Sequence, residues 1–136
     1  MNVLLSIKPQ YANEIINGNK KVEFRKKGFK ADINRVYIYS SMPEGKIIGY
    51  FTVSDIIEDH PKKLWEQFAD VGCIDKESFT EYYANRDKGY SIKVQDVTVY
   101  EKPLNPYELI EGFRPPQSFQ YVKEEMLKKF KGSAIV

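Results

Sequence analysis

Ten consecutive residues, Gly18-Asn19-Lys20-Lys21-Val22-Glu23-Phe24-Arg25-Lys26-Lys27, carry five cations and a single carboxylate. Side chains on a strand repeat every two residues, so Lys21, Glu23 and Arg25 point the same way. Lys20 shares the parity of apolar Val22 and Phe24, which puts it either at an irregular strand start or against a cleft. An arginine with a carboxylate two residues away is held rigid and offers its planar fork to a phosphate or a base edge. Glu23 can accept from an exocyclic amine or pair with Arg25. The plainer alternative is a solvated edge strand whose charges block edge-to-edge pairing.

A second stretch, Pro115-Pro116-Gln117-Ser118-Phe119, joins a stiff, extended backbone to polar side chains. The spacing predicts Gln117 and Ser118 at a helix entrance, where amide, hydroxyl and free N–H groups suit an anion or a base; a simple helix cap is the alternative. Tyr37, Tyr39, Tyr50 and Tyr90 are candidates for base stacking, since every base has a π-face. The competing reading makes them barrel-wall residues with hydroxyls at the rim. His60 before Pro61 reads as a helix-entrance residue and Trp65 as core. Glu58 and Asp59 read as turn residues, with no second carboxylate spaced for glycosidase chemistry.

The elements that must position these groups follow from the apolar pattern. Val3, Leu5 and Ile7 alternate as a first strand. Pro9 opens a short helix with Ala12, Ile15 and Ile16 as its stripe, and Gly18 ends it. Lys20 to Lys26 forms a second strand, Lys26 to Asn34 a polar loop, and Val36 to Ser41 a third strand. After a turn at Pro43-Glu44-Gly45, a fourth strand spans Lys46 to about Ile57; Gly49 inside it marks a bulge or a close backbone approach. Helices follow with Leu64, Trp65 and Phe68 on one, and Phe79, Tyr82 and Tyr83 on the next, capped by Asp75. Tyr90, Ile92 and Val94 then change parity to Val97 and Val99, which predicts a β-bulge near Gln95–Asp96. Lys102 to Pro116 holds four of the seven prolines and reads as irregular. Phe119, Val122, Met126 and Phe130 stand at helical spacing, with Glu124–Lys128 and Glu125–Lys129 as i,i+4 pairs on the outer face.

The order β-α-β-β-β-α-α-β-tail has too few βαβ spacings for a parallel Rossmann sheet. It points to an α+β fold, a small curved barrel of five to six mostly antiparallel strands with inserted helices and a C-terminal helix. A chain of 136 residues is one domain. Its ten Tyr and eight Phe suit half-buried strands. The net charge of +2 provides no global field toward DNA or an anionic membrane, so any nucleic-acid contact must come from a local patch. Single Cys73 and single His60 leave no internal disulfide and no zinc cluster. No metal or cofactor is implied. The N-terminal residues are neither a signal peptide nor a membrane anchor, and the expected setting is cytoplasmic.

Leu5-Ser6-Ile7-Lys8-Pro9, followed by Ile15-Ile16-Asn17-Gly18-Asn19-Lys20-Lys21-Val22-Glu23-Phe24-Arg25, resembles the opening of ASCH-domain proteins. Gly18, Lys20, Glu23 and Arg25 fill the four positions of that family's Gly-x-Lys-x-x-[Glu/Thr]-x-Arg signature. Ile48-Gly49, Gly89-Tyr90-Ser91-Ile92-Lys93 and the Pro115–Phe119 ending resemble later parts of it. The resemblance implies a PUA-like barrel with a cleft beside the signature strand that holds RNA, a nucleotide or a modified nucleoside. Lys8, Lys20 and Arg25 would then meet phosphate or base edges, Glu23 would orient Arg25, Ser40 would add a ligand contact, and Gln117 or Ser118 would close the cleft. One branch of similar fold hydrolyses acetylated cytidine with a Lys, a Thr and a downstream Glu. Lys20 matches the Lys; Glu23 stands at the Thr position, and the acid falls near Val71–Gly72, with Glu66 and Asp70 as neighbours. As an amidohydrolase, the protein would use Lys20 as amine and Glu23 as proton shuttle, with Ser40 or Ser91 supplying the missing hydroxyl. A regulatory protein-interaction module is the third reading.

Overall fold

The computed structural model describes residues 1–30 and 32–132. Six strands, β1 (Asn2–Ile7), β2 (Val22–Arg25), β3 (Arg35–Ser40), β4 (Lys46–Asp59), β5 (Gly89–Leu104) and β6 (Phe119–Val122), form one sheet in the order β2-β5-β4-β3-β1-β6. Among the described residues only the β1–β3 pair is parallel; the other four pairs are antiparallel. Five α-helices accompany them among the described residues, α1 (Pro9–Ile16), α2 (Pro61–Phe68), α3 (Lys76–Tyr82), α4 (Pro106–Leu109) and α5 (Glu124–Leu127), with a short 3-10 helix at Ala69–Val71. The chain is an α+β protein built on a curled, incompletely closed barrel.

The alternation of β1 decides which face each residue serves. Val3, Leu5 and Ile7 enter the barrel interior with Val36, Ile38, Phe51 and Ile92, and α1 adds Ala12 and Ile15 from its apolar stripe. Leu4, of opposite parity, joins Tyr37, Tyr39, Ile47, Tyr100, Phe113 and Phe130 in a second core on the outer face. A third core, Val22, Phe24, Leu64, Phe79 and Tyr83, clamps β2 against α2 and α3. The cap residues behave as expected. His60 Nδ1 accepts from the Lys62 N–H at 3.1 Å, and the Asp75 carboxylate accepts from the Ser78 N–H at 3.2 Å.

The curl comes from irregularities in the long β4–β5 pair. On β5, Gln95 faces Thr52 but Thr98 faces Tyr50, an extra residue at the expected bulge; Asp96 there has φ 47°. At Gly49 the two backbones meet so closely that a Cβ would lie 2.2 Å from the Thr98 carbonyl oxygen. Both features bend the ribbon so that the sheet's two ends approach each other.

The C-terminal expectation needs correction. Phe119–Val122 is strand, paired with β1 from Leu5↔Phe119 to Asn2↔Val122, and only Glu124–Leu127 is helical. The free edge of β1 needs backbone partners, and that demand outweighs the helical spacing of the apolar residues. With one helical turn, neither expected i,i+4 pair is an ion pair among the described residues. The stretch after Lys102 is also more ordered than expected: β5 continues to Leu104, and Pro106 starts α4.

Candidate functional site

The site lies where the curled sheet fails to close. Edge strand β2 carries Glu23 and Arg25, and across the gap stand the end of β1 and the segment leading into β6. The Pro115–Ser118 segment is strapped to β1: the Ser6 hydroxyl donates to the Pro116 carbonyl at 2.6 Å, and the Ser6 N–H donates to the Ser118 carbonyl at 2.9 Å. Arg25 bridges the gap. Its Nη1 and Nη2 both donate to the Ser6 carbonyl at 3.3 Å, and Nη2 donates to Ser118 Oγ at 3.1 Å. Tyr83 of the third core holds the strand from the other side, its hydroxyl donating to the Arg25 carbonyl at 2.8 Å.

Glu23 stands between two cations. Its Oε2 accepts from Arg25 Nη1 at 3.0 Å, and its Oε1 lies 3.5 Å from Lys20 Nζ. Lys20 and Glu23 are almost fully buried, with side chains 2% and 6% exposed, while Arg25 retains 13%. Lys20 precedes β2 and folds back over its start. Its ammonium donates to the Gly72 carbonyl and sits 5.2 Å from the Tyr11 ring centre and 5.5 Å from that of Phe24. A Cβ at residue 72 would lie 2.4 Å from the Phe24 ring, so Gly72 lets that carbonyl reach the lysine.

Above this buried triad opens a cleft of about 1040 Å³. Its walls come from the ends of β1 and β2, from α1, α3 and the Pro115–Ser118 segment. Six cations (Lys8, Lys20, Arg25, Lys26, Lys27 and Arg86) and two carboxylates (Glu23 and Glu81) line it. Since the whole chain is only +2, the rest of the molecule is net negative and the positive charge is concentrated here. Tyr11 and Tyr82 supply aromatic surface, with Lys26 Nζ 4.6 Å above the Tyr82 ring centre. Burial pushes the Tyr82 hydroxyl above its ordinary pKa, against the opposing pull of Arg25. Burial, with Glu14 nearby, likewise raises the Cys73 thiol, which disfavours the nucleophilic thiolate.

Of the residues singled out from the sequence, Lys8, Lys20, Glu23, Arg25, Gln117 and Ser118 all line this cleft. Ser40 does not: it is fully buried on β3, and its Oγ has no hydrogen-bond partner among the described residues. Ser91 is equally sealed, on β5 opposite Phe24. Gln117 and Ser118 open a strand, not a helix. Tyr37 is core, Tyr50 lies under Arg35 at 4.3 Å, and only Tyr39 of the four expected stacking residues reaches the cleft wall. Near Val71–Gly72 the partner of Lys20 is a backbone carbonyl, and Glu66 and Asp70 do not line the cleft. Tyr11, Tyr82 and Arg86 were not singled out as site residues. Tyr82 carried a usable signal, a polar-tipped ring at the border of the apolar face of α3; Gly72 carried none, because its contribution is a carbonyl.

The curled six-stranded barrel has the PUA-like architecture that the sequence resemblance implies. The chain belongs to the ASCH domain family, whose pattern matches residues 5–129. An ASCH domain-containing ribonuclease of Zymomonas mobilis is 25% identical over 133 residues, covering 93% of this chain and 87% of that protein. A crystal structure of an ASCH protein from the same organism superposes with a TM-score of 0.85 at 25% identity, over 94% of this chain and 92% of the other. A large ribosomal subunit protein uL22 of Ureaplasma parvum is 25% identical over 124 residues, which are 89% of this chain but 39% of that protein. Among the described residues, no helix is long and apolar enough to cross a membrane, and no three metal-ligating side chains converge.

Proposed function

We propose that the protein binds single-stranded RNA in the seam cleft, in a cytoplasmic setting. One observation carries the reading: six cations against two carboxylates in one cleft of a nearly neutral chain, with tyrosine rings among them. Cations neutralise phosphates without regard to sequence, and splayed bases stack on aromatic rings in single-stranded RNA. The ribonuclease name of the Zymomonas relative supports RNA as the ligand. Arg25 contributes mainly by holding the seam, because Ser6, Glu23 and Ser118 already engage its guanidinium. Among the described cations of the cleft, exposed Lys8, Lys27 and Arg86 are free to meet a phosphate.

The test is fluorescence anisotropy with a labelled single-stranded octaribonucleotide, comparing wild type with Lys8→Ser/Lys27→Ser at two salt concentrations. The variant is expected to bind more weakly, with a salt slope smaller by about 1.4 for two lost phosphate contacts on a single strand. Equal affinity and slope would overturn the assignment of these lysines. An absence of binding in wild type at low salt would favour the protein-interaction reading. A thermal shift with acetylated cytidine but not with RNA would favour the nucleoside reading.

A second reading, favoured by the same relative, has the cleft cut the strand. Exposed Lys8 and Lys27 on the cleft wall would face the negative charge that develops on the non-bridging phosphate oxygens. Attack by the 2′-oxygen with departure of O5′ would leave a 2′,3′-cyclic phosphate and a 5′-hydroxyl. End-group analysis of the octamer after incubation, with Lys8→Ser/Lys27→Ser as control, decides it.

A further inference from the structure

Beyond the α3 end of the cleft, the turn between α3 and β5 forms a shallow basin of about 550 Å³ lined by Lys26, Ala84, Asn85, Arg86, Asp87 and Lys88. Lys26 and Arg86 line the basin and the cleft alike, so the two are continuous. We infer that this basin is a phosphate subsite for the part of an RNA strand that leaves the cleft, and that the ligand is therefore a polynucleotide, not a free nucleoside. The inference rests on the RNA reading above and extends it.

Three observations converge. The cleft alone, at about 1040 Å³, is at the top of the range of roughly 300–1,000 Å³ that encloses a drug-sized molecule, so one nucleoside would leave much of it empty. The basin presents three cations against one carboxylate, Asp87, and it is open to solvent with Arg86, Asp87 and Lys88 all exposed. The junction between the two is Tyr82, with Lys26 over its ring. A base stacking on the exposed part of Tyr82 would bring its flanking phosphate past Lys26 toward the turn. Among the described residues the competing ion pair is weak: Lys88 lies 3.9 Å from Glu58, with both side chains more than half exposed, and such a pair yields readily to a phosphate. Turn geometry keeps the cations together. Asn85 has φ 62°, a conformation that asparagine tolerates well, and the Arg86 N–H donates to the Tyr83 carbonyl at 3.0 Å. The turn is therefore tied directly to the third core behind the cleft.

The experiment compares wild type with Arg86→Ser/Lys88→Ser, using uridine 5′-monophosphate and labelled oligouridylates of four and eight nucleotides. Both residues are exposed, so the variant is expected to fold; its thermal midpoint checks this. Wild type is expected to bind the octamer better than the tetramer. The variant is expected to lose roughly tenfold in octamer affinity at low salt, with a salt slope smaller by about 1.4, and to lose less in binding of the monophosphate, which keeps exposed Lys8 and Lys27 in the cleft. Arg86→Lys/Lys88→Arg should restore octamer binding, because a solvated phosphate contact needs charge above geometry. Octamer affinity and slope equal to wild type in the serine variant would overturn the subsite while leaving the RNA reading intact. Wild type binding neither octamer nor monophosphate would overturn the RNA reading, and the subsite with it.

Discussion

Glu23→Gln is the substitution that the buried triad makes most consequential. In the native protein one carboxylate serves two cations, Lys20 Nζ at 3.5 Å and Arg25 Nη1 at 3.0 Å, with Lys20 only 2% exposed. The amide keeps the shape but removes the charge, leaving an ammonium whose other hydrogen-bond partner is the Gly72 carbonyl. Breaking a buried ion pair by neutralising one member costs about 3–5 kcal/mol, since the remaining charge stays buried. For a domain of this size that lowers the thermal midpoint by roughly 10–20 °C. Lys20→Met/Glu23→Gln removes both members of the pair, while Arg25 keeps its contacts to Ser6 and Ser118. The double variant is therefore expected to lose only about 1–2 kcal/mol, less than the single Glu23→Gln. Urea unfolding of wild type, both single variants and the double variant measures this inversion. A Glu23→Gln loss within about 0.5 kcal/mol of wild type, or single losses that simply add, would refute the account of the triad as a coupled unit.

Two further outcomes follow from the fold. Gly49→Ala places a methyl group 2.2 Å from the Thr98 carbonyl oxygen, a backbone atom with no rotamer to change. The expected loss is about 1–3 kcal/mol from overpacking, read as a lower urea midpoint at unchanged m; a neutral effect would show that β4 and β5 can separate there. At alkaline pH, Tyr83 and Tyr100 carry hydroxyls whose pKa is raised chiefly by burial, and each donates to a carbonyl, of Arg25 and Phe130. The unfolded chain releases these protons above about pH 10, while the folded chain holds them. Their contribution is complete below that pH and falls as pH rises toward the folded values. Thermal midpoints should drop steeply between about pH 10 and 11, less steeply in Tyr100→Phe; a flat profile would contradict the burial of these hydroxyls.

Periodicity alone was enough to read β1, α1, β3 and the long β4, because each has a face that must be apolar. The bulge at Gln95–Asp96 was legible because a one-residue slip in parity has no other cause in a continuous strand. Gly49 was legible as a close approach, since glycine inside a strand is otherwise unfavourable. The C-terminal segment was misread for a physical reason. Phe119, Val122, Met126 and Phe130 do meet apolar partners, but in two cores, with Phe119 packing on Phe29 at 4.9 Å while the others join the outer-face cluster. Helical spacing cannot tell one stripe from two destinations. At the site, the grouping of Lys20, Glu23 and Arg25 was legible from residue type. Their order in space, with the carboxylate between the cations, was not, because Lys20 precedes the strand and strand parity does not apply to it. The role of Gly72 and the Ser6 carbonyl lies in the backbone and has no signature in side-chain chemistry.

The signature residues and the residues proposed to face the ligand are thus largely different sets. Lys20, Glu23 and Arg25 are spent on one another and on the carbonyls of Ser6 and Gly72, which closes a barrel that backbone pairing leaves open. Charges that stay in water, Lys8, Lys27, Arg86 and Lys88, are the ones that can exchange counterions for phosphates. A buried charge already neutralised by a carboxylate releases no counterion and adds nothing to a salt slope. The two sets should therefore separate experimentally. Substitutions in the triad move unfolding midpoints strongly and leave the salt slope of RNA binding unchanged wherever the variant still folds. Substitutions in the outer set move the slope and leave the midpoint near wild type. A triad variant that folds, binds RNA and shows a reduced slope would place Arg25 on a phosphate after all, because only an exposed, unneutralised cation can contribute to that slope.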